Sequence, residues 1–154
     1  MKKLIVFLLV VLIAAAAMPW ALYGVGLWNT DGRPTPPTQM GYDAFEATQA
    51  WNERAEVNPP ALRAITPWHF YHLLWCSQND QTLEDFLTCG DLYPGLRASA
   101  YVAKNYLITH IRRDGILWRY LSRTALTIWL SNAWNKDDLM AELVRLRRAG
   151  YSPK

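Results

Sequence analysis

Charge is scarce in this chain, and its absences are placed unevenly. Only 19% of the 154 residues are Asp, Glu, Lys or Arg, against 8 Trp and 8 Tyr, a balance that excludes a disordered tail and suits a compact helical domain or one lying against a membrane. After Lys2 and Lys3 no charged residue occurs before Asp31. The apolar run from Leu4 through Ala17 therefore continues into Pro19, Trp20, Leu22, Tyr23, Val25, Leu27 and Trp28, long enough to cross a bilayer. Missing too is any run that alternates with period two for long enough to argue a sheet. A Gly-rich phosphate loop, a nucleophile elbow and a Walker pattern are likewise absent, which removes the nucleotide-binding and serine-hydrolase readings that rest on them.

The N-terminal run has two readings. Lysines before the run orient it with its N-terminus in the cytoplasm, and Trp20, Tyr23 and Trp28 suit the far interface, where amphipathic rings prefer to lie. The chain is then a single-pass inner-membrane protein with residues 1–30 as anchor and the rest in the periplasm. Alternatively, Leu4 to Ile13 is the core of a signal peptide and Ala15-Ala16-Ala17 its cleavage site. The uncharged stretch runs on past those alanines and Pro19 comes soon after them, which favours the uncleaved anchor. Both readings export the remainder of the chain, and export excludes nucleic acid as a partner.

Two cysteines, Cys76 and Cys89, in an exported chain form a disulfide by default. His69, His72 and Cys76 share one face if their segment is helical, but a closed metal site needs a fourth ligand. Trp68, Phe70, Tyr71 and Trp75 beside them read as core packing, so neither a metal nor another cofactor is expected.

Beyond the anchor, residues 31–41 carry Gly32, Pro34, Pro36 and Pro37, a Pro-rich linker that sets the folded part off the membrane by a short distance. Residues 42–150 are expected to be all-α. The pattern predicts helices over Asp43 to Glu56, over Thr66 to about Gln78, and in a short stretch opened by Thr82 and Asp85. Further helices are expected over Leu96 to about Arg112, closed by Asp114-Gly115, and over Ile116 to about Asn132. A last one, capped by Asn135 and Asp138, ends at Gly150. The basic residues Arg112, Arg113, Arg119, Arg123, Arg145, Arg147 and Arg148 contribute to a net charge of +3. They either complement helix C-termini or form a cationic surface for anionic headgroups or a lipid-linked diphosphate.

Several short motifs carry a family resemblance. Ala103-Lys104-Asn105, then Leu117, Arg119 and Leu121, an apolar helix through Leu126, Ile128 and Leu130, and Asn135-Lys136-Asp137-Asp138-Leu139 resemble, in that order, the family 51 peptidoglycan glycosyltransferases. Upstream, Asn58-Pro59-Pro60-Ala61-Leu62 and Asn79-Asp80 with Leu83 are similar to the approach to, and the start of, that family's catalytic helix. The resemblance implies a small lysozyme-like helical domain on a transmembrane anchor that acts on a lipid-linked precursor. It implies substrate contacts from Arg97, Ser99, Lys104, Asn105, Arg119 and Lys136.

The departures fall on the acids. The family's catalytic Glu is the general base for the acceptor hydroxyl, and it corresponds to Asn79; an amide cannot take that proton. A second family Glu corresponds to Arg123, a charge reversal, and the family's Lys on that helix to Tyr120. Asp80 and Glu84 are the carboxylates nearest the lost base and the candidates for catalysis. Glu53 and Asp85 qualify by residue type alone, and both have structural explanations, a solvated helix face and a cap. The expected role is accordingly non-catalytic: binding a lipid-linked wall precursor, a glycan or a cell-wall synthase. The alternatives are a divergent active glycosyltransferase and an envelope-complex assembly protein with no glycan role.

Overall fold

The computed structural model describes residues 2–37, 41–54, 60–69, 71, 72 and 91–150. Among them the chain is all-helical, with five helices: α1 (Lys2–Trp28), α2 (Ala44–Asn52), α3 (Leu96–Tyr106), α4 (Ile116–Ala133) and α5 (Lys136–Arg148). The predicted disulfide cysteines Cys76 and Cys89 and the helix predicted over Thr82 and Asp85 lie outside the described residues, as does most of the helix predicted from Thr66.

Helix boundaries reflect local chemistry. Asp43 caps α2 by accepting from the Phe45 amide. Asn135 and Asp138 cap α5 reciprocally, each side chain bonded to the other's backbone N–H, which satisfies two of the donors a helix start leaves open. Gly95 turns the chain into α3 at φ 81°. A Cβ there would lie 2.6 Å from Leu62 Cδ1 and 2.9 Å from Ala61 O, so both the dihedral and the space require glycine.

The core is where α2, α3, α4 and α5 meet. Trp51, Val102, Leu126, Leu130, Leu139, Leu143 and Val144 are almost wholly buried there, set at helical spacing on the inward faces of their elements. At the rim, Arg148 pairs with Glu46 and Arg147 with Glu53, joining the end of α5 to α2. A second, smaller cluster of Ile65, Tyr93 and Ile128 takes in Tyr23 of α1.

α1 is long and apolar enough to cross a membrane, and its first two-thirds are exposed. Its last third is not. Pro19, Leu22 and Tyr23 line a seam with Leu121, Thr124, Ala125 and Ile128 of α4. Gly26 meets α4 so closely that a Cβ on it would lie 2.5 Å from Leu121 O and 2.7 Å from Ala125 Cβ. Early residues of α4 thus oppose the end of α1 and later ones oppose its middle, so the two helices run antiparallel.

The folded part thus docks directly on the apolar helix, and the residues that follow α1 hold it there. Asn29, directly after α1, is fully buried. Its Nδ2 donates to Ser122 Oγ at 2.9 Å and to Arg113 O at 3.1 Å, and its Oδ1 accepts from the Arg113 amide at 2.8 Å. Asp31 N donates to His110 O at 2.8 Å and Arg112 N to Asn29 O at 2.9 Å, around an isolated bridge between Thr30 and Ile111. The same bonds explain a correction: α3 ends at Tyr106 and not near Arg112. Residues 110–112 give their backbone groups to the segment after α1, and a backbone group used there is unavailable to a helical ladder. α2 is also shorter than predicted, ending at Asn52, with a turn at residues 53 and 54.

Candidate anion-binding groove

Between the end of α3 and the first half of α4 runs a groove of about 440 Å³ lined by Lys104, Leu107, Ile108, Ile116, Arg119, Tyr120 and Arg123. Its position results from the early end of α3. Because the chain leaves the helix at Tyr106 and crosses to the α1 terminus before re-entering at Ile116, the facing ends of α3 and α4 are left open between them. The lining is of two kinds. Ile108, Ile116 and Tyr120 are exposed apolar or amphipathic surface, and Lys104, Arg119 and Arg123 are exposed cations.

Macrodipole compensation accounts for Lys104, which is in the last turn of α3. It does not account for Arg119 and Arg123. They stand in the first two turns of α4, where backbone N–H groups already make the helix end positive and acidic side chains are favoured. α4 has no acid in its first turn and no side-chain cap at Gly115. The side chains make the groove cationic; the N-terminal backbone of α4 adds to that charge and the C-terminal carbonyls of α3 oppose it.

Ion pairing sorts the basic residues further. Arg145, Arg147 and Arg148 are paired with Glu142, Glu53 and Glu46, and Arg112 with Asp31. Arg113 lies between the rings of Trp28 and Trp118, 5.0 and 5.3 Å from their centroids, a cation–π arrangement. Arg119 forks onto Asp114, with Nη2 to Oδ2 at 2.9 Å. That guanidinium, with the Gly115 amide, holds the Asp114 carboxyl below the usual carboxylate range, and Asp114 in turn raises Arg119. Lys104 and Arg123 have no carboxylate partner among the described residues.

Of the site residues that the resemblance implies, the groove gathers Lys104 and Arg119. It does not gather the others. Arg97 pairs with Asp91 at 3.6 Å; Ser99 is buried against the core; Asn105 bonds back to Tyr101 O at 2.8 Å within its own helix. Lys136 opens α5 beside Asp137. Asp80, Glu84 and Asn79 lie outside the described residues. Among the two histidines of the considered metal set, His69 Nδ1 is occupied by the Thr66 amide and hydroxyl, and His72 Nδ1 by the Tyr93 hydroxyl. Arg123, weighed in the sequence as part of a cationic surface for anionic headgroups or a lipid-linked diphosphate, also lines the groove; the apolar wall is what the sequence alone did not assign to a site. The available signal was the i, i+4 spacing of Arg119 and Arg123 with Tyr120 between them, at the end of a helix where cations are least expected.

No known protein family, curated protein or solved structure matches this chain.

Proposed function

We propose that this is a membrane-anchored, non-catalytic binding protein whose groove takes the phosphate or diphosphate of a lipid-linked molecule. The observation that carries the reading is the groove itself, with three cations, one of them paired to Asp114, on an apolar wall between the end of α3 and the first half of α4. An amphiphilic anion satisfies both kinds of lining at once: its phosphate oxygens accept from Lys104 and Arg123, and the first units of its chain lie on Ile108, Ile116 and Tyr120. α1 supplies the anchor, with Lys2 and Lys3 on the cytoplasmic side and the folded part outside. This retains the class of ligand implied by the glycosyltransferase resemblance, a lipid-linked wall precursor, on residues only partly those the resemblance supplies.

Binding without chemistry agrees with the lining. No carboxylate among the described residues lines the groove, and Asp114, which adjoins it through Arg119, is held below the usual carboxylate range and is a weak base for a hydroxyl proton. The test uses full-length protein in detergent with labelled lipid-linked disaccharide diphosphate, scoring bound precursor and polymer. Bound precursor without polymer, lost in Lys104→Glu and in Arg123→Glu, is the expected result. Binding that survives both reversals removes the groove from the function. Polymer that disappears in Asp80→Ala makes the protein an enzyme.

A further inference from the structure

Tyr71 donates from its hydroxyl to Ala15 O at 3.1 Å, which places the turn that starts at Thr66 alongside the middle of α1 and not beyond its end. A hydrocarbon layer about 30 Å thick takes about 20 helical residues, so a span that starts after Lys3 reaches Tyr23. Among the described residues, only Leu4 to Ala14 of α1 before Tyr23 is clear of the folded part, and at 1.5 Å per residue that is about 16 Å of rise. The folded part therefore meets the bilayer before α1 has crossed it.

The surface at that height is aromatic. Trp20, Trp68 and Tyr71 are 52%, 48% and 39% exposed on neighbouring elements. Trp68 and Tyr71 pack with tilted rings at 6.0 Å, and Trp20 meets Tyr23 edge-on at 6.5 Å. Part of the backbone around them is bonded within the protein. The Ile65 amide donates to Ser131 Oγ and Ile65 O accepts from Asn132. The Thr66 amide donates to His69 Nδ1, and the amides of His69 and Tyr71 donate to Thr66 O and Trp68 O. A turn in water has no need of such closure, whereas one that enters lipid must satisfy its polar groups within the protein.

We infer that the turn carrying Trp68 and Tyr71, together with Trp20, inserts into the outer leaflet beside α1, so that lipid is the partner of this face. The inference rests on the anchor reading of α1 and on nothing assigned to the groove. Its occupant is the bilayer, because the face is bonded to the one described helix long and apolar enough to span it, and because aromatic rings with a polar edge are the side chains that collect at that depth.

Full-length protein in phospholipid vesicles, spin-labelled without reductant at a single introduced cysteine and with wild-type protein labelled in parallel as the background, tests it through collision with oxygen and with a water-soluble nickel chelate. Trp68→Cys and Trp20→Cys are the reporters. Leu9→Cys, within the exposed part of α1, is the membrane reference, and Thr109→Cys, exposed in the segment that bonds to the residues after α1, is the water reference. Labels at 68 and 20 that lose nickel access as the label at 9 does are the expected result; two positions on separate elements guard against one variant misfolding. If both reporters match position 109 while position 9 stays shielded, the anchor stands and the insertion is overturned. A label at 9 that is open to nickel overturns the anchor reading and the insertion with it.

Discussion

Asn29 shows how much one side chain ties together. Its amide closes three hydrogen bonds at zero exposure, joining the end of α1 to Ser122 of α4 and to the Arg113 backbone. Asn29→Ala leaves the Ser122 hydroxyl and the Arg113 amide without that partner, and a buried donor so abandoned costs about 1–3 kcal/mol. The expected outcome is a loss of that size in denaturant unfolding of the full chain in detergent, with α1 remaining in the micelle. Asp114 acts in the opposite sense on binding. It pairs with Arg119, so Asp114→Asn frees a third cation for the groove and is expected to tighten phosphate-bearing ligand, read as a lower Kd. The linkage has a definite sign. A carboxyl depressed by its folded surroundings contributes stability above its unfolded pKa and loses it as pH falls through the lower folded value. Wild-type protein therefore gives up the Asp114 contribution only below the usual carboxylate range, and Asp114→Asn removes that part of the acid dependence.

Among the helices, what the sequence could and could not announce divides by the range of the bonds involved. The start of α5 was legible because Asn135 and Asp138 act on their own backbone. Asn135→Ala is expected to cost about 1 kcal/mol, as lost caps do, seen as a lower Tm. The beginning of α4 was legible from Gly115, and the apolar character of α1 from its composition. The end of α3 was not, because residues 107–112 have ordinary helical character and leave the helix for bonds to residues 29–31, some eighty positions away. For the same reason the seam between α1 and α4 was invisible: Gly26 reads in sequence as one more small residue of an apolar run. Its tight packing on Leu121 and Ala125 makes Gly26→Ala an overpacking change. A loss of about 1–3 kcal/mol is expected, and because Gly24 has nothing within 4 Å of an added Cβ, Gly24→Ala is the neighbouring control that avoids it.

Taken whole, the molecule separates its charges from its apolar surface along α1: apolar and aromatic at the height of Ala15 to Trp20, cationic beyond Gly26. The candidate site was legible only in part. Lys104 and Arg119 came from a resemblance whose other residues scatter over the core, over α5 and outside the described chain, whereas the groove is made by where α3 stops, a tertiary fact. Its cations are solvent-exposed, so screening at a Debye length of about 8 Å in physiological salt sets their reach. Precursor binding is expected to weaken as salt rises in wild type, and less steeply in Lys104→Glu or Arg123→Glu, measured as Kd against ionic strength. The packing of Gly26 on α4, together with the Asn29 bonds, also denies the molecule a hinge. Gly26 is six residues past Trp20, about 9 Å along the helix at 1.5 Å per residue, and Arg123 lies between the two α4 residues that touch it. On the anchored-binding reading proposed above, a groove so fixed stands at one altitude over the bilayer, like a gauge on a fixed post. On that reading it meets only molecules that drift to it within the plane of the membrane with their phosphates at that height.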